Sequence, residues 1–254
     1  MSMPPRLFVS VDLLEGHAFS LEEGQAHYLT RVMRLRTGDH ARLFNGRHGE
    51  WLSTLEVTGK AVSVRPTRQS RRQPDSTGTL ELLFAPLKKT RTDFAIEKAT
   101  ELGATHIRPV ITTRTQTQRI KVERLQSIVQ EAAEQTERMD LPKVYDLATL
   151  ETALATWDPT SPLIYCDEAG DDPRAPWGGE GGRAPSIAEL LYTLKSRKGG
   201  VLIGPEGGFT EDERAVLKSL DFVHAVSLGP RILRAETAIV SALTIWQSVL
   251  GDWR

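Results

Sequence analysis

Val201-Leu202-Ile203-Gly204-Pro205-Glu206-Gly207-Gly208-Phe209-Thr210 decides how this chain is read. A short apolar run, of the kind that forms a buried strand, enters a glycine-rich turn. Thr210 with Glu213 three residues later is a capping box, so a helix starts at once. Strand, loop and helix in that order put the glycines at the carboxyl end of a strand, where open α/β sheets bind ligands. Glycines there let a ligand approach the backbone and leave N–H groups to donate to it. No Lys-Ser or Lys-Thr follows and the G-x-G-x-x-G spacing is absent, which excludes a phosphate loop. Taken alone, the segment is equally well a tight turn without a ligand.

A second segment changes that balance. Leu228-Gly229-Pro230-Arg231-Ile232-Leu233-Arg234-Ala235-Glu236-Thr237 follows a strand expected at 225–228, again at a carboxyl end. Two such loops after neighbouring strands would form opposite walls of one pocket. Leu228, Ile232 and Leu233 suit an adenine ring, with backbone groups reading its edge. Ile232 is equally a core residue at a helix entrance.

Working outward, strand and helix alternate from residue 80 onward. Strands are expected at 80–84, 107–111, 163–166 and 201–203, with helices at 93–102, 120–137 and 236–250. Gly103 would end the first of these helices. Such alternation argues for a mostly parallel sheet with helices on both faces. Residues 6–72 differ: short strands at 8–11, 41–44, 51–57 and 61–64 surround one helix at 27–35, which suggests a small β-barrel. Residues 73–78, with Pro74, Gly78 and small polar residues, read as a linker. Residues 167–185 hold five glycines, three prolines and five acidic residues, the composition of a surface loop.

The net charge of −1 hides an asymmetry. Residues 1–125 carry 20 Lys and Arg against 13 Asp and Glu, while residues 126–254 carry 12 against 20. A positive first half suggests an anionic partner, with nucleic acid foremost. Arg6, Arg31, Arg34, Arg36, Lys88, Lys89 and Arg91 are candidates for a phosphate-facing surface. Gln135 and Arg138, three apart at a helix end, share a face and suit a base edge and a phosphate. His27 reads more simply as a packing or capping residue. The single cysteine, Cys166, excludes an internal disulfide and a multi-thiolate zinc site, and no metal-ligand cluster stands out. No apolar run spans a bilayer and no secretory signal is visible, so a cytoplasmic protein without a membrane partner is expected.

Taken together, these segments resemble the 16S ribosomal RNA uridine-N3 methyltransferases of the knotted SPOUT superfamily. Arg6-Leu7-Phe8-Val9, with His27, Val32, Arg34, Gly38 and Asp39, is similar to that family's N-terminal PUA-like barrel. Lys88 with Lys98-Ala99-Thr100-Glu101-Leu102-Gly103 resembles the start of its catalytic domain, and Glu134-Gln135, Arg138 and Pro142 its central motif. The loops at 202–208 and 228–238 resemble its paired knot motifs and are specific as a pair. Thr136-Glu137 departs from the small residues more usual there, and loop 167–185 is longer and more acidic.

The resemblance implies a PUA-like RNA-binding barrel over 1–73 and a SPOUT α/β domain with a trefoil knot over 80–254, its cofactor site at about 200–240. It implies S-adenosyl-L-methionine held by Ile203, Gly204, Pro205, Glu206, Gly207 and Gly208 on one loop. On the other it implies Leu228, Gly229, Ile232, Leu233, Arg234, Glu236 and Thr237. The partner is expected to be 16S ribosomal RNA in the 30S subunit, met by Arg6, His27, Arg31, Arg34, Lys88, Arg91, Gln135 and Arg138. A homodimer through the knot region is implied too. Arg138 or Arg234, with Arg6 as a third choice, would stabilise the uracil anion. The rivals are a related knotted methyltransferase acting on another RNA atom and a non-catalytic ribosome-assembly factor.

Overall fold

The protein, seen in a computed structural model, is described for residues 3–75, 78–167 and 184–253. Two compact units divide the chain. Met1–Asp75 and Ala133–Leu141 form the first; Ser76–Ala132 and Pro142–Arg254 form the second. Residues 76–77 of the expected linker and 168–183 of the expected loop lie outside the described residues.

In the first unit the strands are β1 (Arg6–Phe8), β2 (Phe19–Ser20), β3 (His40–Phe44), β4 (Glu50–Thr58) and β5 (Ala61–Arg71). They form one sheet in the order β1-β3-β4-β5-β2, antiparallel except for β1 beside β3. Among the described residues no pairing joins β1 to β2, so the strands of the expected small barrel pair as one five-stranded sheet. That core gathers Leu7, Leu29, Leu43, Leu55, Val62 and Val64. The first strand lies earlier than expected because Leu7 and Phe8 register with Leu43 and Phe44, while Val11 is exposed. The helix also starts earlier, as α1 (Glu23–His27), and continues into a π-helical turn, Tyr28–Val32. Arg34, at φ 58°, takes the left-handed backbone that ends it.

The second unit contains β6 (Thr79–Phe84), α2 (Lys89–Glu101), β7 (His106–Ile111), α3 (Val122–Gln135, its last residues in the first unit), β8 (Lys143–Val144) and β9 (Ala148–Thr149). Then come α4 (Leu150–Ala155), β10 (Leu163–Cys166), α5 (Ile187–Thr193), β11 (Lys198–Ile203), α6 (Glu211–Lys218), β12 (Val223–Val226) and α7 (Ala235–Val249). The sheet order is β12-β10-β11-β6-β7-β8, with β9 also on β7, and every pairing is parallel. A parallel sheet covered on both faces needs continuous apolar strands. Leu82, Leu83 and Phe84 of β6 and Val201, Leu202 and Ile203 of β11 supply them, all buried.

Upstream on β11 the pattern reverses to Gly199 and Gly200, for a packing reason. A Cβ on Gly199 would sit 2.6 Å from the Trp246 ring, and one on Gly200 2.6 Å from the Trp157 ring. Two large rings therefore seat directly on the strand backbone, one of them from α7, which also packs on α2 and α5. Gly103 follows the end of α2 at φ 80°, as a C′ glycine should. β12 ends two residues before its expected end, because its register with β10 runs from Leu163↔Val223 to Cys166↔Val226. Ser227 thereby falls outside the strand, in an isolated bridge to Ser186, and Leu228 becomes loop. Among the described residues no helix is long and apolar enough to cross a membrane.

Candidate active site

The two glycine-rich loops do line one pocket, although their strands are not neighbours. β10 runs between β11 and β12, so the pocket has three strand ends beneath it. The cavity measures about 200 Å³. One side comes from Ile203, Gly204, Pro205, Glu206 and Gly208, the other from Leu228, Gly229, Ile232, Leu233 and Arg234. Cys166 and Asp167 at the end of β10 and Arg214 of α6 also line it, and none of the three was expected from the two loops. The signal for the first two lies in 163–166, an apolar run expected as a strand, whose carboxyl end is a ligand position by the same rule as the other two. Gly207, Glu236 and Thr237 do not line the cavity.

The β11 loop folds back on itself. A Cβ at Gly204 would lie 2.9 Å from the Phe209 ring, so only glycine admits that ring. Phe209 meets Tyr165 edge-on at 5.7 Å between centroids, and the Tyr165 hydroxyl donates to Asp167 Oδ2 at 2.9 Å. Arg214 Nη2 stands 2.7 Å from Asp167 Oδ1. Its Nε is buried and has no hydrogen-bond partner among the described residues. Burial, helped by the Asp167 charge, pushes the Cys166 thiol up to about 12, so it remains a protonated wall and no nucleophile.

Outside the cavity the loop is braced. The expected capping box at Thr210 and Glu213 is formed in both directions. The Glu213 carboxylate accepts from Thr210 N at 2.8 Å and from Thr113 N at 2.7 Å. Burial works to raise this carboxyl, but the N–H donors outweigh it and hold it below its ordinary value. Arg114 Nη1 donates to Gly207 O at 2.7 Å. Arg91 Nη1 donates to Glu206 Oε1 at 3.0 Å and lies 4.0 Å from Glu236 Oε2. Expected at a phosphate, Arg91 instead reaches one residue of each loop. Lys88 is exposed at the N-cap of α2. Among the described residues no group of His, Cys, Asp and Glu is placed to hold a metal ion.

The remaining expected site residues belong to the first unit. Arg6 corrects its expectation: it is 6% exposed and spent on the interior. Its Nε donates to Glu50 Oε2, its Nη1 to Ala133 O and its Nη2 to Arg138 O, each at 2.6 Å. The guanidinium also lies 3.8 Å above the Phe44 ring centroid. No face is left for a substrate, so Arg6 is a structural residue. Arg138 donates through Nε to Asp140 Oδ1 at 2.9 Å and through Nη2 to Oδ2 at 3.2 Å. The preceding Glu137 holds φ 60°, and its carboxylate pairs with Arg42 at 3.0 Å and Arg71 at 3.3 Å. His27, Arg31, Arg34 and Gln135 are exposed.

The model of the RNA methyltransferase domain matches residues 74–247, and that of the RNA methyltransferase PUA domain matches residues 21–67. A ribosomal RNA small subunit methyltransferase E from Rickettsia conorii is 34% identical over 240 residues, 94% of this chain and 93% of the relative. The chain belongs to that family. Its relative from Synechocystis is 32% identical, covering 95% of this chain and 76% of the relative. Among solved structures, the family's enzyme from Neisseria gonorrhoeae, bound to S-adenosyl methionine, superposes with a TM-score of 0.85 at 27% identity. That likeness covers 99% of this chain and all of the other. A methyltransferase from Legionella pneumophila in complex with the bound cofactor SAM gives 0.82 at 25% identity, covering 97% and 98% of the two chains.

Proposed function

We propose that this protein transfers a methyl group from S-adenosylmethionine to N3 of a specific uridine in 16S ribosomal RNA of the small subunit. The observation that carries this is the pocket between the β11 and β12 loops, in a chain of the small-subunit methyltransferase family. The residues fit the cofactor's chemistry. Leu228, Ile232 and Leu233 offer an apolar wall for an adenine ring, and the glycine-rich 204–208 backbone permits close approach.

Bound there, S-adenosylmethionine supplies a methyl group activated by a sulfonium, which requires no covalent protein intermediate. The loops contribute alignment of the acceptor with the methyl and sulfur, the larger part of the advantage. Uridine N3 must lose a proton, and a guanidinium facing the uracil carbonyls stabilises the resulting anion. Arg234 is the stronger candidate: it lines the pocket, is exposed, and forms no ion pair among the described residues. Arg138 is the second, oriented by Asp140. RNA would be met by His27, Arg31, Arg34 and Lys88 and, at a base edge, by Gln135, the base being unstacked for attack.

The reading includes a PUA-like unit built on residues 1–73, a trefoil knot in the 80–254 domain, a homodimer through the knot region, a 30S substrate and a cytoplasmic location. Methyl transfer to small-subunit RNA, free and assembled, followed by mass identification of the nucleoside, tests it. Methylation at uridine N3 is expected. A methylated ribose or another base would overturn the N3 assignment, and failure to bind cofactor would overturn the whole reading.

A further inference from the structure

We propose that Arg214 is a cofactor-binding residue that takes the α-carboxylate of S-adenosylmethionine through its Nε–H. The inference rests on the methyltransferase reading and adds a side-chain contact outside the two glycine-rich loops. Arg214 lines the pocket from α6, and its side chain is only 15% exposed. One end of the guanidinium is fixed: Nη2 sits 2.7 Å from Asp167 Oδ1, and Asp167 accepts from the Tyr165 hydroxyl at 2.9 Å. Tyr165 is itself immobilised against Phe209, which folds back over Gly204. The guanidinium is thus held at the pocket wall by a chain of contacts rooted in the sheet.

The Nε–H has a different environment. It is buried with no hydrogen-bond partner among the described residues, and an N–H donor left so is costly. An acceptor brought by a ligand removes that cost. The cofactor offers ring nitrogens, ribose oxygens and one carboxylate. Only the carboxylate carries a charge complementary to guanidinium, and charge-assisted bonds are the stronger kind. The apolar wall of Leu228, Ile232 and Leu233 takes the adenine, which leaves the charged wall for the amino-acid end.

The test compares two ligands on wild type, Arg214→Met and Arg214→Lys by calorimetry. S-Adenosylhomocysteine carries the amino-acid end; 5′-methylthioadenosine has the same adenine, ribose and sulfur without it. Arg214→Met is expected to weaken S-adenosylhomocysteine at least about tenfold while methylthioadenosine holds its affinity. Arg214→Lys, which keeps the charge but lacks Nε, should also lose about tenfold for the first ligand alone. Equal losses for both ligands, or no loss for either, overturn the proposal. Should Arg214→Met fail to fold, Arg214→Lys with the same two ligands decides by the same criterion. Wild type that binds neither ligand would sink the methyltransferase reading itself, an outcome distinct from these.

Discussion

Arg6 and Arg234 belong to one residue type and have opposite surroundings. Arg6 is closed in by Glu50, two backbone carbonyls and the Phe44 ring, whereas Arg234 stands exposed on the pocket wall. Burial drives the Arg6 guanidinium below its ordinary value, with Glu50 working against that shift. Removing one partner of a buried pair leaves the other uncompensated. Arg6→Met should therefore cost about 3–5 kcal/mol in denaturant unfolding. A loss within the range of ordinary surface substitutions would show that Glu50 finds another partner. Arg234→Ala should lower turnover on RNA by about a hundredfold or more while changing S-adenosylhomocysteine affinity far less. Arg138→Ala is expected to show the same separation, and unchanged turnover in single-turnover assays would remove either arginine from the chemistry.

Elements were legible where one short stretch of chain carries the whole signal. β10 and β11 announce themselves by continuous apolar runs, and α6 by Thr210 and Glu213. Glu213 gives a pH test with a definite sign. Its folded carboxyl lies below the ordinary 4.5, so the stabilisation it gives is complete above that value and fades as pH falls below it. Glu213→Gln should cost about 1 kcal/mol near neutral pH, and thermal melts of the two proteins should converge in acid. A gap that persists unchanged in acid would mean the carboxylate charge is irrelevant to the cap. Less was legible where partners are distant. β2, β8 and β9 are two residues long and exist only through the strands they pair with. The burial of Arg6 depends on carbonyls 127 and 132 positions away, which no local pattern foreshadows. The place of β10 between β11 and β12 is likewise a matter of sheet order, and with it went Asp167 and Arg214.

For the whole molecule, the charge split has become a statement about the route to RNA. The basic first half includes exposed Arg31 and Arg34, whereas Arg6, Arg42, Arg71 and Arg91 are engaged in ion pairs. Fewer arginines are therefore available for phosphates than the sequence suggested. Binding to RNA should still weaken with salt, by at least about tenfold between roughly 50 and 200 mM, with a slope set by the contacts made. Filter binding across that range checks it, and a flat response would remove the phosphate-facing surface. The first unit has one more consequence, because it is discontinuous: its sheet ends by residue 71, yet Ala133–Leu141 also belongs to it. During synthesis the chain emerges from its amino end at about 5–20 residues per second. The carbonyls of Ala133 and Arg138 that Arg6 requires are made long after the sheet itself. The amino-terminal unit is therefore completed only after residues 76–132 of the second unit have been made, and a chain cut between the two would separate it from a piece of its own interior.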